Sequence, residues 1–165
     1  MTFMITWVLE NMSLAMLGLA LVLGVVGGRR QKRVGGAGLE PTVFWLMLLF
    51  VGVCGLYSGG MHLFMPGLSA ANIGWAPSPF QWEVGVADVT IGVLGIMAAW
   101  ASRPFRWAVV VALSVFFLGD AIGHIRQMQV SHDFAPGNAG SWFWIDVIGP
   151  VVLLVAHALN RQGPR

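Results

Sequence analysis

Five stretches of this 165-residue chain are apolar over about the 20 residues that a helix needs to cross a bilayer, and together they use up most of the sequence. They run Phe3–Val26, Thr42–Met65, Phe80–Ala101, Phe105–Gln127 and Ser141–Leu159. The expected fold class is therefore all-α, an integral membrane bundle of about five transmembrane helices in one domain spanning 1–165. No other segment is long enough to build a second core. Only 10% of the residues are charged, against roughly 25% in soluble domains. That excludes a soluble enzyme, a separate nucleotide-binding domain and a nucleic-acid partner. The single cysteine, Cys54, lies inside an apolar run, so no disulfide framework can form, and packing is its expected role.

The first stretch has the position of a signal peptide but not its charge order. A signal peptide carries its positive charges ahead of the apolar region. Here nothing basic precedes it, and Arg29, Arg30, Lys32 and Arg33 come after it. It reads as a retained first helix. Placing that cluster in the cytoplasm also puts Arg103, Arg106, Arg161 and Arg165 there, leaving only Arg126 of the nine basic residues outside. The positive-inside rule then sets the N-terminus outside and the C-terminus in the cytoplasm. Trp7, Trp75, Trp82, Trp142 and Trp144 fall toward the outer interface and Trp45, Trp100 and Trp107 toward the inner one, the headgroup level that tryptophan favours. The connections 66–79 and 128–140 read as irregular external loops. Their prolines break helix continuity, and Asn138 and Ser141 are placed to cap the fifth helix.

The chemistry lies in what interrupts the apolar spans. Glu10, His62, Glu83, Asp88, Asp120, His124, Asp146 and His157 are ionisable residues inside them. With odd helices entering from outside and even ones leaving there, His62, Glu83 and His124 lie about one turn below the outer surface. Glu10, Asp88, Asp120 and Asp146 lie about two turns below it, at 1.5 Å rise per residue. His157 alone is near the inner end. An intramembrane carboxylate costs about 2.5–3.5 kcal/mol on insertion scales, so these five acids are expected to converge inside the bundle. There they hold protons, pair with histidine or Arg126, or bind a cation. Asp120 and His124 share a helix face, as do Ser58 and His62. Glu83 lines up with Ala87 and Thr90, whereas Asp88 points about 140° away. Gly119/Gly123 and Gly55/Gly59 are small-xxx-small pairs of the kind that lets helices approach closely.

The leading expectation is a divalent metal held by His62, Glu83, Asp120 and His124, with Asp88 and Asp146 behind them or on a second ion. Imidazole and carboxylate together suit Zn, Fe, Mn or Cu. No span has the Glu-x-x-His spacing of bundle-core dimetal sites. A metal-bound water, with Glu83 or Asp88 as proton acceptor, is a candidate chemistry. Haem b between His62 and His124 fits less well, because its neighbours would be carboxylates. The alternatives are a proton- or cation-coupled transporter, against which the inner half offers almost no polar group besides His157, and a structural accessory subunit that does no chemistry. Expected partners are the lipid bilayer, a second copy of the chain, and a small or lipid-soluble ligand from the outer leaflet. His157 reads as interfacial, His132 and Asp133 as a solvated loop pair, Asn72 and Asn138 as turn residues, and Tyr57 as a packing residue.

The stretches SPFQWEVGVADVTIGVLG (78–95), GDAIGHIRQM (119–128) and APGNAGSWFWIDVIGP (135–150) resemble a family of small bacterial polytopic inner-membrane proteins of uncharacterised function. The resemblance implies a bacterial inner-membrane location and matching polar positions at Glu83, Asp120, His124, Asn138 and Asp146. It brings no substrate or cofactor, and the first helix lies outside it.

Overall fold

A computed structural model describes residues 2–33 and 39–160. It is helical, with no strand among the described residues. Five helices are long and apolar enough to cross a membrane, the architecture of a multi-pass membrane protein. In chain order they are α1 (Thr2–Arg33), α2 (Glu40–Phe64), α4 (Phe80–Trp100), α5 (Arg103–Ser131) and α7 (Ser141–Leu159), with the shorter α3 (Pro66–Ile73) and α6 (Pro136–Ala139) in two of the connections. The side chain of Arg33, and Arg161 and Arg165, which enter the positive-inside count, lie outside the described residues. Many large apolar side chains face outward, Phe64, Val115 and Val130 most of all, as lipid-facing helices require.

The connection 66–79 is irregular only beyond α3. Pro66 stands in the first turn of α3, where its missing N–H costs nothing and its fixed φ favours the helix. The helix ends at Gly74, whose φ of 84° is the left-handed cap that glycine adopts freely. Ser141 does not cap α7. Gly140 occupies that position, and the Ser141 hydroxyl donates to the Glu10 carbonyl of α1.

Packing divides the bundle into two pairs. α2 lies along α4, α5 lies along α7, and α1 covers α2 and α7. The α2/α4 seam is built from glycines on both sides. A Cβ added at Gly55 would stand 2.7 Å from the Gly92 Cα, and one at Gly59 would stand 2.7 Å from the Gly85 carbonyl oxygen. Backbone therefore meets backbone, and dispersion rather than water release holds such a contact in lipid. Gly119 and Gly123 behave otherwise. Neither would bring a Cβ within 4 Å of anything, so this pair makes space instead of seating a helix. Although only Ala101 and Ser102 separate α4 from α5, these two helices touch lightly.

The two ends of the bundle differ. At one end, Arg106 is 1% exposed. Its Nη1 donates to both Glu40 carboxylate oxygens at 2.7 and 2.8 Å, Nε donates to the Ala98 carbonyl and Nη2 to the Ala99 carbonyl, each at 2.7 Å. The last turn of α4 has carbonyls short of helical donors; the guanidinium supplies Ala99 and joins the Ala101 N–H at Ala98. Asn160 Nδ2 joins by donating to Glu40 at 2.8 Å. This end, the arginine end, thus holds more polar structure than the sequence suggested, and His157 beside it is buried against Trp107. Above it lies an apolar layer including Leu46, Met47, Val110, Leu113 and Leu153. The middle of α2, Leu46–Val53, winds as a π-helix, which no proline or polar residue in the sequence announces. A π-turn shifts the register of the remaining helix, so it sets the direction in which Ser58 and His62 point.

Candidate functional site

At the opposite end, all five long helices and the α3 and α6 connections enclose a cavity of about 540 Å³. That volume suits a small organic molecule. Six of the seven outer-half residues expected to converge line it: Glu10, His62, Asp88, Asp120, His124 and Asp146. Glu83 does not. It is exposed and lies off the cavity wall, on the side of α4 that also carries the exposed Thr90. The five-residue offset from Glu83 to Asp88 is what separates them, as the helical angle requires. Arg126 is exposed too, and among the described residues no lysine or arginine lines the cavity.

On the α2/α4 side, Ser58 Oγ donates to Asp88 Oδ2 at 2.6 Å, leaving the other carboxyl oxygen of Asp88 for the cavity. Asp88 is 8% exposed. His62, one turn beyond Ser58, uses Nδ1 to donate to Gln81 Oε1. Gln81 is itself buried, two turns before Asp88 and on the same face of α4. Two helices packed through glycine are thus cross-linked by two polar pairs.

On the α5/α7 side, the orientation of His124 is set by Asn138, which is fully buried. Asn138 Nδ2 donates to the carbonyls of Asp133 (2.8 Å) and His124 (3.4 Å), so its Oδ1 accepts from His124 Nδ1 at 2.7 Å. With Nδ1 the donor, Nε2 is the nitrogen left for the cavity. It lies 3.6 Å from Asp146 Oδ2, beyond direct hydrogen-bond reach. Asp146 is 7% exposed and has no hydrogen-bond donor among the described residues. Pro150, four residues on within α7, has no N–H for the Asp146 carbonyl, which loosens the backbone at this turn. Asp120 completes this side, one turn before His124.

The walls between are apolar and aromatic. Phe50 meets Phe117 edge-on with ring centroids 6.4 Å apart, and Tyr57 and Trp142 stack at 6.4 Å with planes 7° apart. Tyr57 therefore packs, as expected, and its hydroxyl has no partner among the described residues. Trp75, just beyond α3, covers the His124 ring at 6.0 Å. Gly119 is exposed and also part of the wall, so the cavity reaches the lipid-facing surface there, where α5 stands off α4.

The profile of a protein family matches residues 10–165. The chain belongs to DUF6790, a family of unknown function. The match starts at Glu10 and so takes in most of α1, which lies outside the motif resemblance; all six ionisable cavity residues fall within it. No curated protein and no solved structure gives a significant match.

Sequence reasoning missed what the two amides do. Asn138 reads as a turn residue and a matching polar position, and Gln81 stands in the stretch 78–95 without a role, yet each fixes a histidine. Gln81 was discoverable, because its seven-residue spacing to Asp88 places two polar groups on one face of an apolar helix. Asp133 is not a solvated partner of His132: it is half-buried, and its Oδ1 accepts from the Ala135 N–H. Among the described residues, no three His, Cys, Asp or Glu side chains gather closely enough to share one ion.

Proposed function

We propose that this protein binds a small, lipid-soluble molecule in the α1–α7 cavity, drawing it from the outer leaflet past Gly119 and exchanging protons with it. The observation that carries this reading is Asp146, more than nine-tenths buried, facing an apolar cavity with no donor of its own. A buried polar group without a partner costs about 1–3 kcal/mol, which a bound ligand recovers. The apolar layer below the cavity and the fully engaged Arg106 cluster beneath it favour binding over passage to the arginine end.

The test is solvent extraction and mass spectrometry of protein purified in mild detergent from native membranes, compared with Gly123→Trp. Gly123 lines the cavity and has open space where its side chain would be, so tryptophan would fill the site. The wild type is expected to carry a lipophile near one per chain that the variant lacks. Equal complements in the two, or none in either, would refute the reading.

A divalent metal is the second reading. It is favoured by one feature: both His62 and His124 donate through Nδ1 to an amide oxygen, the arrangement that orients metal-bound imidazoles and leaves Nε2 as ligand. Because no three such side chains among the described residues stand close enough to share one ion, His62, Asp120 and His124 would have to draw together to hold it, with Asp88 and Asp146 beside them and without Glu83. Elemental analysis of chelator-free protein, with an optical spectrum for haem, decides between the two.

A further inference from the structure

Two sets of polar groups, one on each helix pair, form poles of the cavity wall, with Glu10, Ser13 and the Tyr57 hydroxyl outside both. One pole, on α2 and α4, holds Ser58, His62 and Asp88; the other, on α5 and α7, holds Asp120, His124 and Asp146. Each pole is wired so that acceptors face the cavity. The Ser58 hydroxyl is spent on one oxygen of Asp88, and the other oxygen can only accept when the group is ionised. His124 commits its Nδ1–H to Asn138, so a neutral ring offers the Nε2 lone pair. Between that nitrogen and Asp146 Oδ2 the 3.6 Å gap is too long for a direct bond and short enough to be bridged by one oxygen. When the pair holds one proton, a group that bridges it has to donate to one atom and accept from the other. A hydroxyl does this. A carbonyl oxygen, a pure acceptor, does not.

From this we infer that the ligand is an aromatic diol of the quinol type, with one hydroxyl at each pole and its flat ring against Phe117 and Trp142, carrying an apolar tail that leaves past Gly119. This rests on the small-molecule reading above and deepens it by naming the ligand class. The polar poles explain why acids and histidines come from both helix pairs rather than one. No electron transfer is assigned, because binding alone accounts for the arrangement.

The experiment is calorimetric titration of the full chain in nanodiscs with a series that shares one tail: 2-decyl-1,4-benzoquinol, 3-decylphenol and decylbenzene, plus the oxidised 2-decyl-1,4-benzoquinone. Affinity is expected to fall about tenfold with each hydroxyl removed, the scale of one net hydrogen bond of about 1 to 1.5 kcal/mol, and the quinone should bind more weakly than the quinol. Asp146→Leu should bring the quinol down to the level of the phenol and leave decylbenzene unchanged. Ser58→Ala, a milder change at the other pole, should weaken the quinol more than the hydrocarbon. If all four compounds bind alike, the cavity is an unselective apolar site, so the diol assignment fails while the small-molecule reading stands. Phenol and quinol binding equally would leave one pole unused and likewise overturn it. Binding of none would overturn both.

Discussion

Replacing Arg106 with methionine tests the account of the arginine end. The guanidinium is 1% exposed and makes four short bonds, two of them to Glu40, whose side chain keeps 26% exposure. Methionine keeps the apolar stem and removes every donor. The Ala99 carbonyl then loses its partner, the Ala98 carbonyl keeps only the Ala101 N–H at 3.2 Å, and Glu40 retains only the Asn160 amide. Removing one member of a buried ion pair typically costs about 3–5 kcal/mol. With about 2–4 °C per kcal/mol for a chain of this size, thermal unfolding in mild detergent should fall by roughly 6–20 °C. Glu40→Met strands the buried cation and should cost a similar amount. The double variant Glu40→Met/Arg106→Met should lose clearly less than the two single losses together, because the stranded charge is gone. A coupling of about 1–3 kcal/mol is expected. Additive losses, or an Arg106→Met shift under about 1 kcal/mol, would refute the idea that this pair ties four helix ends together.

Three further outcomes are expected from the same geometry. Gly92→Leu should prevent proper α2/α4 docking, since a Cβ there stands 2.6 Å from the Leu56 backbone nitrogen; overpacking of this kind costs about 1–3 kcal/mol or more, whereas Gly119→Leu, which meets open space, should leave the unfolding temperature unchanged. Asn138→Ala removes the acceptor that holds His124 Nδ1–H and should cost about 1–3 kcal/mol; nitrogen NMR of labelled histidine should then show both His124 tautomers where the wild type shows one. Glu83→Gln should change neither stability nor ligand content, in contrast to Asp146→Asn, and a loss as large as that of Asp146→Asn would place Glu83 back at the site.

The spans and the depth of the polar groups were legible because both depend on one-dimensional quantities, the length of an apolar run and the rise per residue. Six of the seven outer-half residues duly meet in one cavity. The features that were not legible depend on rotation and on partners. Glu83 has the right depth and the wrong azimuth, and its spacing to Thr90 held that information. Gly119 and Gly123 have the same pattern as Gly55 and Gly59 but the opposite role, because a small-residue pair records only that bulk is absent and not whether a helix or an opening takes its place. The π-winding of Leu46–Val53 has no local cause in the sequence; it arises where α2 must fit α4 and α1 at once. Arg106 counts in the sequence only as a cytoplasmic charge, because its burial depends on Glu40, 66 positions away.

The glycine seam and the arginine knot together give the molecule a lopsided compliance. α2 and α4 are packed backbone to backbone as one plate, and α5 with α7 forms a second. The plates are riveted by hydrogen bonds through Arg106 and Glu40 at one end and held at the other by the packing of α3 on α6. Any breathing between them must therefore be smallest at the rivet and largest at the far rim, where Gly119 borders the gap. A hinge so placed admits a guest without disturbing the layer beneath it, and it makes the width of the doorway adjustable by side chains between three and four turns from the pivot, at about 3.6 residues per turn.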